Sequence, residues 1–319
     1  MIIENKEIYL EIMEKIQSGN MILFLGSGST RECLKTDGTP GLNGQELANE
    51  ILTAINHGKN PDLRVSLTQA AEYFISYRPT ARIGLDELIQ DRLQGLQPTL
   101  GHYLMTLFPW KAIITTNYNM VVEEAYQQSL KQNYCKTKLD IVRNDDDLIK
   151  RNRSSNIVLY KPHGCISLTG QVQTPLIITS KDYFDSVGLR PKLYKEINSL
   201  VKECSTLFIG YSLDDYTFKN IYYGSQNADG TWINKCYCVS PTKDPLYYKW
   251  AKNALINDFN TELLNTTFDS LMINLLQLRK DLNIPHPLKI KIKALWENSL
   301  KLNGPYMNGI NLSDILGED

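Results

Sequence analysis

Several short apolar runs in this sequence end in residues able to do chemistry. The first is Met21-Ile22-Leu23-Phe24-Leu25, followed without a polar transition by Gly26-Ser27-Gly28-Ser29-Thr30. Gly26 and Gly28 let a chain turn sharply and let a ligand approach where a Cβ would clash. If a helix follows, its free N–H groups and positive end favour a phosphate. The loop alone is equally compatible with a strand-to-helix turn that holds no ligand. Arg31 stands where the dinucleotide fingerprint has its third glycine, and no Gly-Lys-Ser/Thr follows, so neither usual phosphate-loop pattern is complete. Further along, Ala112-Ile113-Ile114-Thr115 runs into Thr116-Asn117-Tyr118-Asn119, and Ile157-Val158-Leu159-Tyr160 runs into Lys161-Pro162-His163-Gly164. A histidine titrates near neutral pH and can move a proton. An asparagine amide orders hydroxyls or water without titrating. Either residue alone is more often structural, as a satisfied core histidine or a turn asparagine.

The elements that must position these residues follow from the same runs. A helix over residues 4–18 carries Ile8, Ile12 and Ile16 on one face and ends at Gly19-Asn20. Strands are expected at 21–25, 112–116, 157–160, 207–209 and 236–239, each closed by polar or glycine-rich residues. Helix signals lie at 121–130 and from Gly210-Tyr211-Ser212-Leu213-Asp214-Asp215 to Tyr222. Strand, polar loop and helix in repetition predict an α/β fold, a parallel Rossmann-like sheet, with ligands beyond the carboxyl ends of the strands. Residues 45–107 read as helical and too long for a simple crossover, hence an inserted helical cap. Residues 37–44 (DGTPGLNG) are a candidate mobile loop over a ligand or a plain surface turn. From 246 onward the chain reads as a helical C-terminal extension, and residues 303–319 as a frayed tail or docking segment. The expected division is therefore 1–245 and 246–319.

The 319 residues carry a net charge of −1, with 42% hydrophobic and 22% charged residues, the balance of an ordinary globular protein. No long basic run marks a nucleic-acid or anionic-membrane surface. KIKIK at 289–293 reads as the wet face of a local element, and Asp145-Asp146-Asp147 as a solvated loop rather than a metal site. No apolar run reaches membrane-spanning length, and the first residues have no sustained apolar core, so a cytoplasmic location is expected. Six cysteines, at 33, 135, 165, 204, 236 and 238, form no CxxC pair, which predicts reduced thiols and no metal.

Taken together, GSGS at 26–29, TTNYN at 115–119, KPHG at 161–164 and GYSLDD at 210–215 resemble, in this order, the sirtuin catalytic core. More closely, the set is similar to the bacterial sirtuin-like family of antiphage defence, whose members hydrolyse NAD. The resemblance covers roughly residues 18–245. It implies that Gly26, Ser27, Gly28 and Ser29 hold the pyrophosphate of NAD. It places Asn117 beside the nicotinamide ribose, makes Thr116 and Asn119 NAD-binding residues, and makes His163 the catalytic histidine, with Asn117 its partner in catalysis. Gly210, Ser212 and Asp214 would lie near the phosphates and the adenosine ribose, although Asp214 also suits a helix cap. Ser240 would lie near adenine. NAD is then the substrate, no metal is required, and control by self-assembly or by an activating protein partner is expected.

Two departures from the family pattern bear on the reaction. Asn119 stands where the motif usually ends in Asp, losing a charge and gaining donors. The zinc module of protein deacylases is absent: Cys165 is the only cysteine between His163 and Gly188, and QVQTPLIITSKDYF at 171–184 reads as a hairpin and a helix start. That favours water over an acyl-lysine as nucleophile. Nicotinamide leaves NAD as a neutral molecule, so the glycosidic bond can break with oxocarbenium character while Asn117 and His163 order and deprotonate water. The alternatives are an NAD or ADP-ribose sensor without turnover, a protein deacylase or ADP-ribosyltransferase, and a cyclised product. Cys165 with His163 as a thiol nucleophile is disfavoured because alternate residues on a strand face opposite ways. Tyr118 and Tyr211 are equally candidates for base stacking and for core packing.

Overall fold

In the computed structural model the described residues are 6–56, 64–77, 81–151, 156–170, 175–211, 234–279, 284–307 and 309–316. The central element is a parallel sheet of seven strands: β1 Met21–Leu25, β2 Ala112–Thr115, β3 Leu139–Val142, β4 Ile157–Tyr160, β5 Ser205–Ile209, β6 Cys236–Val239 and β7 Thr261–Leu264. Their order is β3-β4-β2-β1-β5-β6-β7, and every adjacent pair is parallel. β1 is buried along its whole length because both sheet faces are covered. Met21, Leu23 and Leu25 enter one apolar cluster while Ile22 and Phe24 enter the other, as the two-residue period of a strand requires.

The first cluster is covered by α1 Lys6–Gln17, α5 Leu100–Met105, α6 Val121–Lys131, α11 Phe268–Leu278 and α12 His286–Asn303. The second is covered by α9 Pro191–Glu203 and α10 Pro245–Phe259. A third cluster belongs to the helices inserted between β1 and β2: α2 Gly44–Ile55, α3 Leu67–Tyr77 and α4 Ala81–Leu93. Tyr118, Ile166, Leu176 and Ile178 join this cap to the strand-end loops. The insertion expected over 45–107 thus splits. α2–α4 form the cap, whereas Leu100, Tyr103, Leu104 and Met105 of α5 pack in the main core.

Two strands escaped the sequence pattern. β3 and β7 are the two edges of the sheet, four residues each, and both carry an acid (Asp140, Glu262) that breaks the apolar run. The segment from 246 is therefore not wholly helical, since β7 runs between α10 and α11 and pairs with β6. The segment read as a tail is docked over its described residues: Met307, and Ile315 and Leu316 of α13 Leu312–Leu316, are buried in the main cluster. The acidic triplet opens α7 Asp145–Lys150 rather than lying in a loop. Asp145 there accepts from the backbone N–H groups of Lys192 and Leu193 at the start of α9. No helix among the described residues is long and apolar enough to cross a membrane.

The chain leaves β1 towards β2 on one side, and β5 returns on the other. The sequence of strand additions thus reverses beside β1, and a ligand crevice is expected at that switch point.

Candidate active site

At this switch point the loops after β1 and β5 are pressed together. Gly26 N–H donates to the Ile209 carbonyl (2.8 Å) and Gly28 N–H to the Gly210 carbonyl (3.0 Å). A Cβ on Gly28 would stand 2.7 Å from Gly210 Cα, and one on Gly26 2.5 Å from Gly210 O. Gly210 itself has φ +70, in the region that favours glycine. Close loop packing, not only ligand approach, therefore demands these glycines. The loop after β1 forms a four-residue 3₁₀ turn, Ser27–Thr30, instead of opening a long helix. With Ser29 N–H donating to Gly26 O, three of its amides are already committed to the protein. The expected helix-dipole cradle for a phosphate is correspondingly reduced.

A cavity of about 1060 Å³ opens beside this junction. Its lining includes Gly26, Ser27, Thr116, Asn117, Asn119, His163 and Gly210, so it gathers residues from four strand ends. Gly28 and Ser29 are not on the lining. Ser29 is buried, and its hydroxyl donates to Gly26 O (2.7 Å), closing the turn from behind. Thr30, two residues beyond Gly28, takes a place on the wall instead. Ser240 is held by its N–H to the Leu264 carbonyl (3.2 Å) and lines a separate recess of about 10 Å³ shared with Tyr211. Ser212, Asp214 and the helix expected up to Tyr222 lie outside the described residues.

Asn117 Nδ2 donates to Gly26 O (2.9 Å) and Ser29 Oγ (3.3 Å), which leaves its Oδ1 as the remaining acceptor. Thr116 Oγ1 and the Tyr211 hydroxyl share a bond of 2.6 Å. Tyr211 is buried edge-on against Phe24, so it braces the loops and is not a base-stacking platform. Tyr118 does line the cavity, with its hydroxyl donating to the Ile177 carbonyl. Asn119 accepts from Val121 N–H at the start of α6 and donates from Nδ2 to Thr30 Oγ1 (3.4 Å). Because Thr30 spends its own proton on the Ser27 carbonyl, a carboxylate at position 119 would face lone pairs where the amide supplies a donor.

His163 is buried on the cavity wall, edge-on to Tyr183 with ring centres 5.3 Å apart. Burial first, and the nearby Arg190 guanidinium second, lower its pKa to about 3. The imidazole is therefore neutral at pH 7, the form that accepts a proton. Behind it lies Lys161, which is fully buried. Its Nζ donates to Glu123 Oε1 (2.7 Å) and to the Asn119 carbonyl, with Cys165 Sγ 3.2 Å away. Burial alone would lower the Lys161 pKa, but the Glu123 carboxylate and Cys165 hold it above the ordinary lysine value. This cluster ties the His163 loop to the Asn117–Asn119 loop. Cys165 belongs to it and not to the cavity lining, so no Cys–His nucleophile faces the cavity.

Leu42, Asn43 and Gly44 come from the segment read as a covering loop, and Gln45 from the start of the expected cap; the walls beyond them were missed in the sequence. The tip of the covering loop is a tight turn closed by Lys35 N–H to Thr39 O and Gly41 N–H to Cys33 O. Ser66, Leu67 and Thr68 start α3, and the far wall is α8 Ser180–Leu189. Among the described lining residues none carries a formal charge at pH 7. The described lining therefore holds neither the carboxylate pair of ordinary glycoside hydrolysis nor the arginine clamp of phosphoryl transfer.

A large cavity with an uncharged described lining thus lies at the carboxyl ends of a parallel sheet, where ligand sites of open α/β folds form. The model for the SIR2-like domain matches residues 111–278, and the chain belongs to this family. Two curated relatives are similar. One, from Enterococcus faecium, is named NAD(+) hydrolase ThsA and is 24% identical over 232 residues, 72% of this chain and 44% of its own length. Another of the same name, from Acinetobacter baumannii (strain 532279), is 25% identical over 214 residues, 66% of this chain and 40% of its own. The chain thus spans less than half the length of either. A solved Sir2 homologue mutant in complex with 2′-O-acetyl ADP ribose aligns over 92% of this chain and 99% of that one. At a TM-score of 0.39 and 14% identity, it carries no argument.

Proposed function

We propose that this chain binds NAD in the cavity and hydrolyses it to nicotinamide and ADP-ribose. The observation that carries the reading is the meeting of Asn117, His163 and the glycine turn on one cavity whose described lining is uncharged. A volume of about 1060 Å³ suits a folded dinucleotide. NAD brings its own driving force, a cationic pyridinium that departs as neutral nicotinamide, so the protein needs no strong acid. The Ser27 hydroxyl and the edge of the glycine turn hold the pyrophosphate. Asn117 Oδ1 accepts from the ribose or from the attacking water. As the C1′–N bond breaks and the C1′–O bond forms, the water's proton passes to neutral His163. A bound pyrophosphate raises the His163 pKa from about 3 towards the working range, since an anion favours the imidazolium. In the setting the resemblance implies, this reaction depletes the NAD of an infected cell, under control of assembly or a partner.

The test is NAD turnover by the purified chain, with products separated by chromatography. Wild type is expected to give nicotinamide and ADP-ribose, and His163→Ala to lose about 10²–10⁴-fold in rate. Asn117→Ala is expected to fall comparably. Either variant consuming NAD at the wild-type rate overturns the assignment. NAD bound tightly without nicotinamide release reassigns the cavity to a sensor.

A further inference from the structure

Along α8, Ser180, Tyr183, Phe184 and Val187 follow the i, i+3, i+4, i+7 spacing of one helical face, and all four line the cavity. Such an apolar face normally packs into a core. Here Phe184 is 86% exposed and Val187 58% exposed, and the only buried residue of the helix is Ser186. A contiguous apolar patch on a cavity wall marks a surface for a ligand's apolar part. The helix is also fixed in place from the cap side. Asp182 accepts from Arg82 of α4 (2.7 Å), and Ser180 N–H donates to Glu72 of α3 (2.9 Å). Tyr183 in turn lies edge-on to His163, so the stripe begins at the reacting end of the site.

We infer that the Tyr183–Phe184–Val187 face of α8 is the subsite for a flat heteroaromatic ring of the dinucleotide, with Phe184 as its stacking residue. This rests on the NAD reading above. The opposite wall offers amides, hydroxyls and backbone, which suit phosphate and ribose. An aromatic ring has its complement on the apolar surfaces, and the α8 stripe begins at Tyr183, edge-on to His163. Two rings share this chemistry, nicotinamide and adenine.

The experiment is a calorimetric titration of wild type, Phe184→Ala and Phe184→Trp with carba-NAD, in which a methylene replaces the ribose oxygen so that the glycosidic bond holds. Parallel titrations use ADP-ribose, which keeps adenine but lacks nicotinamide. Phe184→Ala is expected to weaken carba-NAD binding roughly fivefold, the scale of one aromatic stacking contact, and Phe184→Trp to retain it. ADP-ribose affinity unchanged in Phe184→Ala assigns the ring to nicotinamide, and an equal loss assigns it to adenine. Because Phe184 is so exposed, its removal takes nothing from the core. Wild-type affinity for both ligands in Phe184→Ala overturns the subsite while leaving the NAD reading intact. Failure of wild type to bind either ligand overturns both.

Discussion

The two long walls of the cavity are built on opposite principles. The strand-end wall is closed upon itself. Asn117 is tied to Gly26 and Ser29, Thr116 to Tyr211, Asn119 to Thr30, and the last of these loops to the buried Lys161–Glu123 pair. The wall of α8 and the cap presents open apolar surface, secured at its edges by Arg82 and Glu72. Reacting groups must be held to within a fraction of an ångström, and interlocking hydrogen bonds over a packed core achieve that. A wall that takes up a ring needs only area and shape. Substitutions should therefore be costly on the first wall and mild on the second.

The sharpest test removes the brace. Lys161→Met leaves the Glu123 carboxylate buried without its counter-charge, a change expected to cost about 3–5 kcal/mol. Chemical denaturation measures it. Adding Glu123→Leu removes the stranded charge, so the double variant should recover much of the stability. Turnover should stay low in both, because the Asn119 carbonyl has lost its tie to the His163 loop. A loss below about 1 kcal/mol in the single variant would mean that this wall is not braced as described.

Glycines on the two walls give a matched pair. At Gly210 a Cβ would lie 2.2 Å from Ser29 N and 2.5 Å from Gly28 C, both backbone atoms, and φ is +70. Gly210→Ala should therefore lose about 1–3 kcal/mol and displace the glycine turn, weakening NAD binding as well. At Gly44, which lines the cavity at the start of α2, a Cβ meets nothing within 4 Å. Gly44→Ala should be neutral or stabilising by up to about 1 kcal/mol, since alanine favours the helix. Thermal melts of the two variants compare the walls directly, and equal destabilisation would erase the distinction.

The strand-end wall was also the legible one. An apolar run broken by Gly, Asn or His is a local signal, and the central strands β1, β2, β4, β5 and β6 were readable from such runs. The edge strands β3 and β7 were not, because an edge tolerates the acids that interrupt the pattern. Residue types within the first loop were informative, but its faces were not. A 3₁₀ turn in place of a helix rotates Ser29 inward and brings Thr30 to the cavity. Contacts between distant residues left no local trace: Lys161 meets Glu123 across 38 positions, and Arg82 meets Asp182 across 100. The stripe on α8 has helical spacing in the sequence, but nothing there says whether such a stripe meets a core or a cavity.

A pH-dependent effect concerns the outer side of the glycine turn, where the interlocked wall includes a titrating group. Glu32 accepts from Asn303 of α12 (3.0 Å) and lies near the buried Asp269, which itself accepts from Thr99, Gly101 and Ser299. Burial, then the charge of Asp269, raise the Glu32 pKa to about 7 against the opposing pull of Asn303 and Arg31. A carboxyl with a raised folded-state pKa binds its proton more tightly when folded. Its protonated form thus supports the fold at low pH, and that support fades as pH rises from the unfolded value of 4.5 through about 7. Glu32→Gln keeps an acceptor for Asn303 but cannot ionise. The variant should match wild type near pH 5 and melt higher near pH 8, flattening the decline between them. Asp269 remains in both proteins, so the difference between the two curves reports Glu32 together with its coupling to Asp269. Parallel curves would show that Glu32 ionises as an ordinary surface acid and that the hard wall ends at the glycine turn.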